Sequence, residues 1–483
     1  MKIPNTPMDA EAILDTLRHR RGGDVRWREG RAWGFVYDAG HAVEEIARKA
    51  HAMFMSDNGL DPTAFPSLLS LENDLVAMAA AHLDSPPGVV GSFTSGGTES
   101  IILAVKAARD WARTHRPDIQ RPAMVLPVTA HAAFHKAAHY LGVEVVVVPV
   151  DTDTFAADVD AMAEAITDET VLLVGSAPSY AHGCIDPIAA LGQLAHTRGL
   201  LFHVDACIGG FLLPYFRRLG EPVPDFGFNV EGVTSLSMDL HKYAYVPKGA
   251  SVVLYRDAAL RSHQMYACST WTGYSVVNPT VQSTKSGGPL AAAWAVMNYL
   301  GEGGFERLAS EVLGATKAII AGVESIDGLR ILGRPDMSLL AIASDEVGIY
   351  HVVDEMGARG WYVQAQLARG GSPPNLHLTV APNNVPLVEQ LIADLRASVE
   401  AARAFGPSEM AQRVGQVAAS LDPSTMSPEV FQRLLAMAGL EGTELPSRMA
   451  EINEVLDVLP EPVCERVLVE FLGALFVPTD SDR

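Results

Sequence analysis

Cysteine and positive charge are both scarce in this 483-residue chain. Its four cysteines, at 184, 207, 268 and 464, lie far apart and form no CxxC pair. That spacing argues against a disulfide framework or a cysteine-ligated zinc, so no metal is expected, and it fits a reducing compartment. No apolar run reaches the roughly 18 residues needed to span a bilayer. The opening MKIPNTPMDAEAILDTL has no apolar stretch behind a basic start, so no secretory signal is expected. The expected location is the cytoplasm, without a membrane anchor. Lysine and arginine number 36 against 57 acidic residues, a formal charge of −21. Such an excess repels nucleic-acid phosphates and anionic lipid heads, so no nucleic-acid partner is expected. The densest basic run, Arg18-His19-Arg20-Arg21, is one helical turn, and Asp24 and Glu29 interrupt the arginines that follow. It reads as a solvated face.

Apolar residues are plentiful. At 48% hydrophobic over 483 residues, the chain can bury a large core and at least two domains. From about residue 70, helical patterns (Leu71–His82, Glu99–Arg113, Ala132–Leu141) alternate with short β-branched runs (Val143–Val148, Val171–Val174, Leu200–Val204, Ser251–Tyr255). Short apolar strands between helices predict an α/β fold with a mostly parallel sheet covered on both faces. The expected organisation is an N-terminal helical segment (1–70) with an extended piece near Trp33–Tyr37, then a large α/β domain (71–288). A smaller α+β domain (289–406) follows, with strands at Ser338–Ala343 and Asn375–Val380. A helical extension (407–483) closes the chain, with turn signals at Asp422-Pro423 and Leu445-Pro446. A helix from Pro289 to Leu300 is expected to break at Gly301–Gly304.

Four clusters carry chemistry. Thr94-Ser95-Gly96-Gly97-Thr98-Glu99-Ser100 enters a helix. Free N–H groups and the helix dipole at such a terminus suit a phosphate, although a plain turn reads the same way. His131 precedes another helix, where it serves equally as a stacking ring or a cap. Asp205 ends an apolar strand, the place where open α/β sheets bind ligands, and a strand-end cap would also be aspartate. Ser237-Met238-Asp239-Leu240-His241-Lys242-Tyr243 sets a lysine among small, aromatic and apolar residues. A lysine that forms a Schiff base needs a site favouring its neutral amine.

The order of these clusters resembles fold type I of the pyridoxal 5'-phosphate (PLP) enzymes. The blocks TSGGTESIILAVKAARD, VTAHAAFHKAAHYLG, GSAPSYAHGCIDPI, HVDACIGGF and DLHKYAYVPKGASVVLY are similar to those of the sphingosine-1-phosphate lyase family, within the group that includes the amino-acid decarboxylases. The resemblance spans roughly residues 30–400. It implies PLP bound covalently by Lys242, with Asp205 at the pyridine nitrogen, His131 on the ring, and Gly97, Thr98 and His241 at the phosphate. It implies a homodimer with its sites at the subunit interface, in which Ser283 and Thr284 reach that phosphate from the other subunit. Tyr180 would lie near the substrate carbon as a proton-transfer group.

In that family a tyrosine, a histidine in an NxLHPxxFP-like stretch and a lysine six residues after the cofactor lysine hold a substrate phosphate. Tyr37 and Lys248 match the first and third. The stretch here, from Asn58 to Pro66, reads NGLDPTAFP, with Asp61 in place of the histidine. A carboxylate repels a phosphate dianion, and Asp61 suits a substrate carrying a cation or hydroxyls. Lys285 stands where the family has arginine, which turns a bidentate contact into a point charge. The resemblance therefore implies a PLP-dependent carbon–carbon lyase acting on a small β-hydroxy amine, phosphorylated or not. An amino-acid decarboxylase on the same scaffold is the alternative. A binding module would have no evident need for Lys242, Asp205 and His131 together.

Overall fold

Seven strands form the main sheet: β1 (Val90–Thr94), β2 (Ala123–Pro127), β3 (Glu144–Val148), β4 (Thr170–Ser176), β5 (Leu201–Asp205), β6 (Ser235–Met238) and β7 (Ser251–Tyr255), in the order β1-β7-β6-β5-β4-β2-β3. The computed structural model describes residues 3–418 and 446–477. The pairs from β3 to β6 are parallel, while β7 runs antiparallel to both β6 and β1. The strands β1, β2, β4, β5 and β6 therefore all point the same way, and their carboxyl ends share one edge. Side chains alternate between the two faces. Met124 and Leu126 pack with Ile101, Val105 and Phe134 on one face, whereas Val125 and Leu173 join the larger core on the other. Covering both faces explains why β2, β4, β5 and β7 are buried at every position.

A second, antiparallel sheet contains β10 (Arg330–Ile331), β11 (Leu339–Ala343), β12 (Gln364–Gln366) and β13 (Asn375–Thr379), in the order β10-β11-β13-β12. A hairpin, β8 (Tyr266–Cys268) and β9 (Val276–Asn278), stands apart from both sheets. The extended N-terminal piece lies against the second sheet: Trp33 N–H donates to Tyr362 O (2.9 Å) and Thr379 N–H to Trp33 O (2.8 Å).

The long helix breaks at the glycines as expected. Gly287–Glu324 is two helices joined across a kink at Gly301 (φ 56°, ψ 178°). Glycine occupies that region without a Cβ clash, and a second helix follows it directly. The C-terminal part supplies helices Glu409–Ala418, Ala450–Val458 and Glu461–Leu475. The turn expected at Asp422-Pro423 lies outside the described residues, as does Leu445 of the other.

Candidate active site

The shared strand edge collects the four clusters. A cavity of about 330 Å³ there is lined by Gly97, Thr98, His131, Tyr180, Asp205, His241 and Lys242, among others. Seven of the expected site residues thus meet, delivered from the carboxyl ends of five strands, β1, β2, β4, β5 and β6.

The glycine turn after β1 opens the helix Gly97–His115. A Cβ on Gly97 would fall 2.7 Å from Cys207 Sγ and 2.8 Å from Asp239 Oδ2, so only glycine fits. Glu99 holds this turn: Ser95 N–H donates to its Oε2 (2.6 Å), and the Val281 and Gln282 N–H groups donate to its Oε1 (2.9 and 3.2 Å). His131 Nδ1 accepts from Ala133 N–H (3.1 Å), so the ring caps the following helix while its face lines the cavity.

Asp205 ends β5 beside Ser176 and Ser237. Its Oδ1 accepts from Cys207 N–H (3.0 Å) and Ser237 Oγ–H (3.2 Å), and Oδ2 has no partner among the described residues. Because Ser237 spends its hydrogen on Asp205, its oxygen must accept from His203 Nε2–H (3.2 Å), and His203 Nδ1 then accepts from Ser235 (2.8 Å). Burial lowers the His203 pKa to about 4, which keeps the ring neutral.

Lys242 corrects one expectation. Burial works against its charge, yet the Asp239 carboxylate, 2.9 Å from Nζ, leads the neighbours that raise its pKa above the ordinary lysine value. The amine is therefore held as ammonium by Asp239, a carboxylate whose role the sequence pattern does not mark. Asp239 is buried, and its Oδ1 has no partner. His241 Nδ1 accepts from Ala250 N–H (3.2 Å), leaving Nε2 as the protonated nitrogen. Burial brings the His241 pKa to about 4.

Tyr180 donates from its hydroxyl to Gln364 Oε1 on β12. Its carbonyl receives His377 Nε2–H (2.9 Å) from β13. Burial raises its pKa, so the phenol stays protonated. Gln364 and His377 were not singled out in the sequence; only the packing of the second sheet brings them here.

The expected substrate residues separate into two groups. Tyr37 packs its ring on Tyr243 (4.9 Å between centroids), and Lys248 Nζ sits 4.8 Å from the Tyr37 ring and donates to His241 O (3.2 Å). Asn58 and Asp61 go elsewhere. Asp61 borders a second cavity of about 760 Å³, beside Leu60, Phe65, Lys285 and the β8–β9 hairpin. Its Oδ1 accepts from Thr63 N–H (2.8 Å) and Oγ1–H (2.6 Å), and Asn58 Oδ1 accepts from Leu60 N–H (2.9 Å). Lys285 is buried and committed to Glu72, so it is no free point charge for an anion. Ser283 and Thr284 are exposed and line neither cavity.

The residues present fit PLP: a cradle closed to any Cβ, a carboxylate with one oxygen free, an exposed flat ring, and a lysine in one cavity. Two family patterns match the chain. "Pyridoxal-dependent decarboxylase conserved domain" covers residues 24–341, and "Pyridoxal-dependent enzyme, C-terminal putative HTH domain" covers 409–474. The sphingosine-1-phosphate lyase of Oryza sativa is 42% identical over 413 residues, 83% of this chain and 75% of the relative. The chain belongs to the sphingosine-1-phosphate lyase family. It is a PLP-dependent lyase of fold type I. The solved sphingosine-1-phosphate lyase of Burkholderia pseudomallei superposes with a TM-score of 0.80 at 36% identity, covering 89% of this chain and 98% of that one. A probable L-tyrosine/L-aspartate decarboxylase of Methanothermobacter thermautotrophicus is 30% identical over 77% of this chain and 98% of its own length.

Proposed function

We propose that this enzyme cleaves the bond between the amine-bearing carbon and the hydroxyl-bearing carbon of a long-chain β-hydroxy amine, releasing an aldehyde and a smaller amine. The observation that carries this reading is the joint placement of Lys242, Tyr180 and Asp205 in one cavity, in a chain 42% identical to a lyase and 30% identical to a decarboxylase.

Lys242 would hold PLP covalently. Asp205 would face its ring nitrogen, His131 would cover its ring, and Gly97, Thr98 and His241 would take its phosphate. Bound there, the cofactor supplies an electron sink for the bond being broken. The chain's own groups supply the proton handling. Asp239 Oδ2, 2.9 Å from Lys242 Nζ, is placed to take and return the proton that the amine must shed to react. The Tyr180 hydroxyl, with Gln364 as its acceptor, is placed to move a proton at the substrate's hydroxyl or carbon. Tyr37, kept protonated by burial, and Lys248 form a donor pair beside the cavity, suited to an anionic end of the substrate. Asp61, engaged with Thr63, takes no part within its own chain.

We read the working form as a homodimer. Trp271, Tyr274, Val277 and Val281 are exposed apolar side chains in the segment that leads to the exposed Ser283 and Thr284, and a second copy would cover them. Ser283 and Thr284 of one copy would then serve the cofactor phosphate of the other. No helix among the described residues is long and apolar enough to cross a membrane, and the net charge of −21 disfavours anionic surfaces; we place the enzyme in the cytoplasm. Domain boundaries near residues 70, 288 and 406 complete this reading.

Mass spectrometry of products tests it. The PLP-loaded enzyme is given a phosphorylated sphingoid base, its unphosphorylated form, other β-hydroxy amines and common amino acids, with Lys242→Ala as control. A long-chain aldehyde with the matching amine establishes the lyase. An amine with carbon dioxide from an amino acid overturns it in favour of the decarboxylase.

A further inference from the structure

The helix Ala450–Val458 carries an acidic residue, Asp457, in its last turn. The negative end of the helix dipole makes that a poor place for a carboxylate, so something outside the helix must compensate. Three groups do. Tyr350 O–H donates to Asp457 Oδ2 (2.6 Å), Ala368 N–H donates to Oδ1 (2.8 Å), and the Arg369 guanidinium lies 3.7 Å from Oδ1. Arg369 also donates to the carbonyls of Leu456 (2.8 Å) and Asp457 (3.3 Å), the free acceptors at that helix end.

All three partners belong to or touch the segment leaving β12. Tyr350 O–H also lies 3.3 Å from Gln366 O, and Ala368 and Arg369 follow two and three residues later. Strand β12 lies at the edge of its sheet, paired only with β13. Its first residue, Gln364, accepts the Tyr180 hydroxyl and is backed by Gly34, where an added Cβ would come within 3.0 Å of Gln364 Oε1. Tyr362, just before β12, is tied to Arg31 and Trp33, so the entry of this three-residue edge strand is held and its exit is the end open to displacement. Asp457 anchors its far end.

We propose that the C-terminal helices are a clamp on the active site, in which Asp457 is a positioning residue that fixes β12 and thereby holds Gln364 against Tyr180. This rests on the reading of Tyr180 as the proton-transfer group. It assigns the C-terminal extension a role in catalysis that does not depend on binding a nucleic acid.

The test uses the full-length, PLP-loaded enzyme with a phosphorylated sphingoid base as substrate. Four variants are compared: Asp457→Ala, Asp457→Asn, Gln364→Ala and the double Asp457→Ala/Gln364→Ala. Asp457→Ala should lower kcat about tenfold with KM little changed, and the double variant should be no worse than Gln364→Ala alone, because both act on one contact. Asp457→Asn keeps an acceptor for Ala368 N–H and should stay within about twofold of the parent. Amide hydrogen exchange should quicken over residues 363–372 in Asp457→Ala and be unchanged over 94–113. Multiplying losses in the double variant, or unchanged exchange over 363–372, would overturn the clamp. If Gln364→Ala lowers kcat and Asp457→Ala does not, the clamp alone fails. If Gln364→Ala leaves kcat unaltered, the reading of Tyr180 fails first and the clamp falls with it.

Discussion

The two cavities of this chain use similar polar residues and treat them in opposite ways. Around Lys242 the hydrogen bonding is left incomplete: Asp239 Oδ1 is buried without a partner, and Asp205 Oδ2 has none among the described residues. Around Asp61 the residues singled out are satisfied: Asp61 is engaged by Thr63, Asn58 by Leu60, and Lys285 by Glu72, whose other oxygen takes Phe93 N–H (3.0 Å), while Arg261 Nε is buried without a partner. An unsatisfied buried polar atom costs about 1–3 kcal/mol. A fold keeps such a cost where a ligand removes it. In the smaller cavity, about 330 Å³ against 760 Å³, that cost falls on carboxylate oxygens beside an amine, which marks it as the chemical one.

The largest effect should come from the incomplete site. Lys242→Ala should lower turnover about a thousandfold or more, since no other amine lines that cavity. The product assay reads it directly, and residual activity within tenfold of the parent would break the comparison at its root. In the larger cavity the corresponding lysine should matter for folding instead. Lys285→Met leaves the partly buried Glu72 without its cation, so stability should fall by about 1–3 kcal/mol. Chemical denaturation at fixed protein concentration measures this, and activity per folded molecule should be retained.

Tyr180→Phe removes the hydroxyl that Gln364 accepts. Loss of a positioned proton-transfer group lowers kcat by about a hundredfold at the low end, with the fold intact by circular dichroism. A smaller effect is expected at Lys248. Burial first, then the Lys242 charge, lowers its pKa to about 8, so its ammonium is present below that pH and lost above it. For a phosphorylated substrate KM should therefore climb as pH rises past about 8, approaching tenfold per unit. Lys248→Met should have the high KM throughout and lose that slope. For an unphosphorylated substrate the slope should be absent in both proteins.

The sequence made the chemical site more legible than its supports. Lys242, Asp205 and the glycine turn stand at element ends, where composition changes abruptly and a strand-end acid or a Gly-Gly before a helix carries a physical meaning. The strand Ser251–Tyr255 was legible as an apolar run, and Leu201–Asp205 was legible one residue early, as Leu200–Val204. By contrast, β6 reads Ser-Leu-Ser-Met and β1 Val-Gly-Ser-Phe-Thr. Their serines are buried because Asp205, His203 and Gln264 need hydroxyl partners, and a hydrophobicity pattern does not register that need. Gln364 and His377 lie nearly two hundred residues from Tyr180, so only tertiary packing joins them. Asp239 was visible three residues before Lys242. Its role follows from the loop that turns both side chains into one buried space.

The smallest predicted effect is the most discriminating. The resemblance implied a histidine at the place of Asp61, and on sequence that departure weakens the case for a phosphorylated substrate. In the folded chain the carboxylate holds its own turn through Thr63, which lowers its pKa, and it borders the cavity that lacks Lys242. Asp61→His should then leave kcat/KM for a phosphorylated sphingoid base within about twofold, as an exposed surface exchange does. A tenfold or greater gain confined to the phosphorylated substrate would mean that the Asn58–Pro66 turn reaches the Lys242 cavity of a second copy. Combining Asp61→His with Lys242→Ala in mixed dimers, on the same chain or on different chains, separates the cases: a gain that survives only when the two changes lie on the same chain places Asp61 across the interface.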